Sequence, residues 1–390
     1  MGTAVYRVDI PTSDGGGKRS DPSSVAEKNG SSADQQIKKT VVDWSVTRRS
    51  LRRKAGCYKQ PMILAIETSC DDTCAAVVEP DGRRALSNVV HTQTEHSRYG
   101  GVVPEIASRA HLERLDGIIE KSLVDAEISL DDVSSVAVTV GPGLIGALLV
   151  GVATAKGIAY ARRLPLVPID HLKGHVAAAY LADPALEPPF VALIASGGHT
   201  ALYYVDADRG MRLLGETLDD AAGEALDKGA RMLGLGFPGG PAISMAALNG
   251  HRDRYDFPVG LKERANLNFS FSGLKTSLLY KLKGMEAERV REELPHLAAG
   301  YEAAVVEALS RKLLRAAGLY EAPALVVAGG VAANALLRRT LEEECARLGT
   351  DLVIPPPDLC TDNAAMIGAA AAHTPAVAYP DYLSLNARSV

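Results

Sequence analysis

Several things are scarce in this 390-residue sequence, and each scarcity closes a door. Cysteine is sparse and odd in number, five in all, at positions 57, 70, 74, 345 and 360. Only Cys70 and Cys74 lie close together, and no second pair completes a zinc knuckle. That pattern excludes a disulfide framework and fits a reducing cytoplasm. A general excess of basic charge is also missing: the net charge is −5, so no nucleic-acid coat covers the chain, although local basic patches are not excluded. No uninterrupted apolar run suggests a membrane span. The most apolar stretch, LIGALLVGVATAKGIAYA, is broken by glycines and Lys156 and reads as a buried helix. Residues 1–20 lack the apolar segment of a signal peptide, and acidic residues through the first 61 argue against an organelle transit peptide. The expected location is cytoplasmic, with no membrane partner. A Walker A loop is absent as well, which excludes a P-loop nucleotidase.

What is present begins with a foreign-looking extension. Residues 1–61 are rich in Gly, Ser, Asp and Lys, have no periodicity and are expected to be disordered. The run RRSLRRK at 48–54 reads as a solvated linker, with an RNA-contacting arm as the sharper alternative. Met62 opens the first strand directly, and translation starting there is a further expectation.

From Met62 onward strands alternate with helices, and the order occurs twice. MILAIE and CAAVVE form a hairpin around TSCDDT; VALIAS and ALYYVD form another around GGHT. Each half then reaches a buried strand, a Gly-rich turn and a helix, SVAVTVGPGLIGALLVG in one and ALVVAGGVAANALL in the other. Each closes with one more strand and helix. This is an internal repeat of whole α/β units. The expected fold class is α/β, a duplicated two-lobed architecture resembling actin, sugar kinases and Hsp70 (the ASKHA fold), with an interlobe cleft. Residues 62–190 would form the first lobe and 191–390 the second, its last helix packing back toward the first. The two polar hairpin turns would face each other across the cleft.

The repeat points to a metal site. HLKGH places His171 and His175 one helical turn apart on one face. The glutamate that a zinc protease carries after its first histidine is replaced by Leu172. At the equivalent place in the second half stands Asp362, in TDNAAMIG. Two imidazoles and a carboxylate with open positions suit one divalent ion, Fe(II) first and Zn(II) as the alternative. The plain alternatives are packing for the histidines and helix N-capping for Asp362.

Glycine turns suggest a nucleotide. In ASGGHT, Gly197 and Gly198 let backbone amides approach an anion, with Ser196 and Thr200 as hydroxyl donors; a tight hairpin with no ligand is the plain reading. Asp227 followed by Gly239 and Gly240 could take a ribose. Gly329 and Gly330 before Asn334 could lie against an adenine whose edge Asn334 bonds, or could form an ordinary capped turn. GPGLIG at 141–146 has dinucleotide-type spacing but no downstream acid, and Pro142 separates its first two glycines.

Together ETSCDDT, GGVVPEIASRAHLE, GPGLIGALLVG, HLKGH, SGGHT, DDAAGEALDK, FPGGP, FSFSGLKT, AGGVAAN and TDNAAMI resemble the universal tRNA N6-adenosine threonylcarbamoyltransferase family, bacterial type, formerly named O-sialoglycoprotein endopeptidases. The resemblance runs from Met62 nearly to the end. It implies transfer of a threonylcarbamoyl group from threonylcarbamoyl-AMP to N6 of the adenosine 3′-adjacent to the anticodon, in tRNAs reading codons that begin with A. It implies metal ligands at His171, His175 and Asp362, and adenylate-binding residues at Ile194, Ala195, Ser196, Gly197, Gly198, Asp227, Gly240 and Asn334. It also implies acidic cleft positions at Asp71 and Asp72, with Asp71 as a candidate proton acceptor. The implied partners are tRNA, an inactive paralogous subunit and a small ATPase, the paralogue docking on a helical hairpin such as EIASRAHLERLDGIIEKSL. Arg83–Arg84, Arg162–Arg163, Lys262–Arg264 and Arg338–Arg339 are candidate RNA contacts, though each reads more readily as solvated surface. The competing readings are another ATP-dependent carbamoyltransferase or kinase of the same fold, a non-catalytic scaffold, and a metalloprotease.

Overall fold

The structure is a computed structural model and describes residues 5–7, 61–99, 101–263 and 265–389. The disorder expected of residues 1–61, and the basic run at 48–54, otherwise fall outside the described residues. Residues 5–7 depart from that expectation. They form β1 (Val5–Arg7), which adds in parallel to the edge of a sheet, where unpaired backbone groups accept any extended segment.

Two sheets organise the chain. The first contains β2 (Met62–Glu67), β3 (Asp72–Val78), β4 (Ala85–Thr92), β5 (Val133–Gly141) and β6 (Leu166–Asp170), in the order β1-β4-β3-β2-β5-β6. The second contains β7 (Phe190–Ala195), β8 (Thr200–Val205), β9 (Met211–Glu216), β10 (Ala324–Ala328) and β11 (Asp351–Val353), in the order β11-β10-β7-β8-β9. Leaving β1 aside, each sheet runs third strand, second, first, fourth, fifth. The first three are antiparallel and the last two parallel to the first. The duplication is therefore in the backbone. Each expected hairpin is a three-stranded meander. β4 and β9 escape a reading by pattern because β4 (ALSNVVHT) mixes polar and apolar residues, and β9 is an edge strand with mostly uncovered side chains. By contrast all six residues of both β2 and β7 are buried, as the central strand of a sheet covered on both faces requires.

Three apolar layers hold the sheets. Outside the first sheet lie α1 (Pro104–Asp125) and α2 (Ile145–Arg162), covering Leu64, Ile66, Val136 and Val138. The segment expected as a helical hairpin is the single helix α1: Gly117 in its middle costs about 1 kcal/mol, which the buried face of the helix offsets, and no proline divides it. By length and composition α2 could cross a membrane, yet its face of Ala147, Leu148, Val152, Ala155 and Ala159 is buried. Outside the second sheet lie α4 (Ala222–Met232), α5 (Gly239–Ala247), α6 (Ser272–Lys283), the long α7 (Ala287–Tyr320) and α8 (Ala335–Leu348).

The middle layer positions the site. α3 (His171–Ala182) follows β6 of the first sheet but packs on β7 and β10 of the second. After the short α9 (Pro357–Cys360), α10 (Ala364–Ala371) packs on β2, β3 and β4 of the first sheet. The two helices pack side by side between the sheets. Gly174 makes this approach feasible: a Cβ there would stand 2.7 Å from Ile367 Cδ1. Beyond α10 the chain stays with the first lobe. Val377 bridges to Leu166, Tyr382 is buried in the outer core, and the Arg388 amide donates to Val140 O at 2.7 Å.

Candidate active site

The ends of α3 and α10 nearest the sheets carry the chemistry, and their caps decide which side chains are free. Asp170 caps α3 by accepting from the amides of Leu172 and Lys173. Asn363 caps α10 by accepting from the Met366 amide at 2.9 Å. Capping was the plain alternative for Asp362, and the structure assigns it to the neighbour instead. The Asp362 carboxylate is thereby left to face His171 and His175.

The three side chains meet. Asp362 Oδ1 is 3.5 Å from His171 Nε2 and 3.3 Å from His175 Nε2, and one ligand atom from each residue lies within 4.8 Å of the others. Ligands held about 2.05 Å from a tetrahedral ion are separated by roughly 3.3 Å, so the spacing fits one ion. His175 is 1% exposed, yet neither of its ring nitrogens makes a hydrogen bond. Its polar neighbour on the cleft side is the Asp362 carboxylate; a buried imidazole without a well-formed hydrogen bond is costly, and coordination would satisfy it. The trio could therefore hold a divalent metal.

Behind it stands a residue that the sequence reading missed. Glu67, at the end of β2, is fully buried; its Oε2 lies 3.1 Å from His171 Nδ1 and accepts from Thr139 Oγ1 at 2.5 Å, while Oε1 accepts from the Ser69 amide. A carboxylate behind a histidine fixes which nitrogen points forward. Burial pulls the His171 pKa down, but Asp362 and Glu67 outweigh it and raise it to about 9. Burial pushes Asp362 and Glu67 upward, but the adjacent imidazoles prevail and hold both below the ordinary carboxylate range. A residue at a strand end, more than 100 positions from His171, gives no sequence signal of this role.

Both hairpin turns reach the trio. In the first, Ser69 Oγ is 3.2 Å from His171 Nδ1. Asp71 is half-buried in the turn, its carbonyl accepting from the Gln93 amide, and Asp72 is the half-buried first residue of β3. Burial and then the charges of Asp71, Asp362 and Asp72 drive the Cys70 thiol far up, so these carboxylates share one neighbourhood. His111 on α1 braces the turn through Thr73 Oγ1 at 2.8 Å and Cys70 O at 2.9 Å. In the second turn, burial together with His171 and His175 lowers the His199 pKa. GPGLIG serves as structure: the amides of Gly143 and Leu144 donate to Ser389 O and Ser69 O.

The glycine-turn residues form a row along the second lobe. Ile194 and Ala195 are buried β7 residues that carry the turn. Gly197 and Gly198 are exposed, and a Cβ on either would meet nothing within 4 Å, so their backbone opens onto free space. Ser196 Oγ accepts from the His199 amide, closing the turn, and Thr200 is buried and accepts from the Ala222 amide at 2.8 Å. Thr200 therefore stabilises the fold here and does not face an anion. Asp227 on α4 accepts from the Gly239 amide at 2.6 Å, and burial raises its pKa. A Cβ on Gly239 would lie 2.4 Å from Asp227 Cα, so only glycine permits this contact. Gly240, next along α5, is half-buried. Asn334 caps α8 through its Oδ1, and its amide donates to Ser244 Oγ at 3.1 Å and Glu302 Oε1 at 2.7 Å.

Four of the candidate RNA-contacting arginines are engaged within the protein. Arg83 pairs with Glu187, Arg84 with Glu79 and Arg162 with Asp131, while Arg338 donates to Pro355 O and Cys360 Sγ. Arg264 lies outside the described residues.

A family model described as tRNA N6-adenosine threonylcarbamoyltransferase matches residues 84–369. The chain belongs to that family. A tRNA N6-adenosine threonylcarbamoyltransferase of Syntrophus aciditrophicus (strain SB) is 50% identical over 329 residues, covering 84% of this chain and 96% of that protein. One from Desulfitobacterium hafniense (strain Y51) is 48% identical over 309 residues, covering 79% and 90%. Among solved structures, T. kodakarensis HypF superposes with a TM-score of 0.55 at 14% identity, over 80% of this chain and 48% of that one. Full-length HypF in its phosphate- and nucleotide-bound form gives 0.52 at 14% identity, over 80% and 46%. At that identity these two share the fold alone, the two-lobed α/β arrangement of this threonylcarbamoyltransferase family member.

Proposed function

We propose that this chain transfers a threonylcarbamoyl group from threonylcarbamoyl-AMP to N6 of the adenosine 3′-adjacent to the anticodon in tRNAs reading ANN codons, releasing AMP. One observation carries the reading: two buried histidines and a half-buried aspartate cluster at the end of a glycine-lined row that has the groups to hold an adenylate. The exocyclic amine of adenine is a poor nucleophile because its lone pair is delocalised into the ring. A mixed carbamic–phosphoric anhydride is activated enough to react with it. The amine forms a bond to the carbamoyl carbon, the bond from that carbon to the phosphate oxygen breaks, and AMP leaves with the electron pair.

The residues divide the work. The amides of Gly197 and Gly198 would face the phosphate, and the free oxygen of Asp227 would accept from ribose hydroxyls, supplying orientation. His171, His175 and Asp362 would hold one divalent ion, Fe(II) first and Zn(II) as the alternative, supplying Lewis-acid stabilisation of developing negative charge. Asp71 would take the proton leaving N6. The target adenine lies in a single-stranded loop, so exposing it costs little. The pairing of Arg83, Arg84 and Arg162 with carboxylates of the chain itself supports a complex in which partner subunits complete the tRNA surface. An inactive paralogous subunit would dock on α1 and α2, where Leu112, Ile145 and Leu149 are exposed, and a small ATPase would join it. A soluble, cytoplasmic location follows from the tRNA substrate.

The test incubates the purified chain with threonylcarbamoyl-AMP and unmodified tRNA, with and without partner subunits, and reads the nucleosides by mass spectrometry. Threonylcarbamoyladenosine in the donor-containing reactions is the expected result. Its absence with partners present would overturn the reading.

A further inference from the structure

Glu302, on α7, is a carboxylate in a costly place. It is 7% exposed. Its hydrogen-bond donors are neutral, Ser244 Oγ and Asn334 Nδ2, and both bond the same oxygen, Oε1. Among the described residues it forms no ion pair. Burying a charge without a cation costs free energy. A glutamine would keep both bonds through its carbonyl oxygen and avoid that cost. The fold thus has no need of the charge, and Oε2 is left to accept from a donor supplied by something else.

Its surroundings say what that donor is. Ser244 lies on α5, which begins at Gly239 beside Asp227; Asn334 follows the Gly329–Gly330 turn after β10. A Cβ on Gly330 would meet nothing within 4 Å, so open space adjoins the turn. From the anion-side turn at Gly197 and Gly198, through Asp227, the row ends at Ser244, Asn334 and Glu302. If phosphate and ribose occupy the first two stations, the base reaches the third. The Asn334 side-chain oxygen already accepts from the Leu337 amide at 2.9 Å, so an adenine amine finds its acceptor on the glutamate.

We propose that Glu302 sets the base specificity of the nucleotide site, with Oε2 accepting from the N6 amine of the donor's adenine. This rests on the adenylate reading above. Guanine and hypoxanthine present an O6 acceptor at that position, and two acceptors facing each other in a buried site repel.

Calorimetric titration of the full chain with AMP and with IMP tests it. The wild-type chain should bind AMP at least tenfold tighter than IMP. In Glu302→Gln the carbonyl oxygen keeps the bonds to Ser244 and Asn334 and the amide turns a donor toward the base. The AMP-to-IMP ratio should fall at least tenfold and can invert. If Glu302→Gln does not fold, Glu302→Ala serves, losing the preference without gaining IMP affinity. Equal weakening of both ligands in either glutamate variant assigns Glu302 a structural role and overturns the proposal. A wild-type chain that binds neither nucleotide overturns instead the adenylate reading beneath it.

Discussion

In the first half of the chain Asp170 caps the helix, and the helix itself supplies His171 and, one turn on, His175. In the second half Asn363 caps, and the carboxylate stands one place earlier, on Asp362. In the first half the strand runs straight into the helix, in the second α9 intervenes, yet in both a dedicated cap frees the neighbouring side chain for the cleft. The two hairpin turns differ in a parallel way. The first is braced by Gln93, His111 and Leu144 and places Ser69 against His171, whereas the second is two open glycines. Duplication supplied two similar frames; the first holds an imidazole against a braced turn and the second leaves its glycine backbone open.

Breaking the convergence should have the largest effect. Asp362→Ala should abolish stoichiometric metal by elemental analysis and reduce transfer to background, as should His175→Ala. Metal retained in Asp362→Ala would mean that the second half contributes nothing to the site. Glu67→Gln comes next: losing the carboxylate behind His171 should weaken metal affinity about 10–100-fold in a competition titration while leaving AMP binding unchanged.

A pH series sharpens the asymmetry between the two contributions. In the metal-free protein His171 is raised to about 9 from an unfolded value near 6.5. The protonated ring therefore stabilises the metal-free fold fully below about 6.5, and this contribution is lost as pH rises through about 9. A metal must displace that proton, so affinity should climb with pH and level off above about 9, with about one proton released per ion at pH 7.5. A flat profile would show that His171 does not enter the site charged. The smallest effect belongs to the caps: Asn363→Ala should cost about 1 kcal/mol of stability by chemical denaturation, and Asp170→Ala a similar amount.

The residues legible in sequence were those that repeat or stand at marked spacings. His171 and His175 sit one turn apart, Asp362 holds the matching place in the repeat, and glycine pairs follow buried strands. What escaped depends on contacts between distant positions. Glu67 reads as the last residue of a strand, and its role appears only when β5 brings Thr139 and β6 delivers His171. Ser244, Glu302 and Asn334 lie on three different elements, and no local pattern links them. Capping by Asn363 rather than Asp362 turns on one residue of register, which propensity cannot resolve because both are good caps. β9 went unseen because an edge strand need not hide its side chains.

The central claim is that two distant segments share one cation. Anomalous diffraction from crystals of the purified, metal-replete chain, collected across the iron and zinc edges, tests it directly. The account predicts a single strong peak about 2.0–2.2 Å from the two histidine Nε2 atoms and an Asp362 oxygen. A metal-replete protein with no peak there, or with its peak at ligands other than these three, would contradict it.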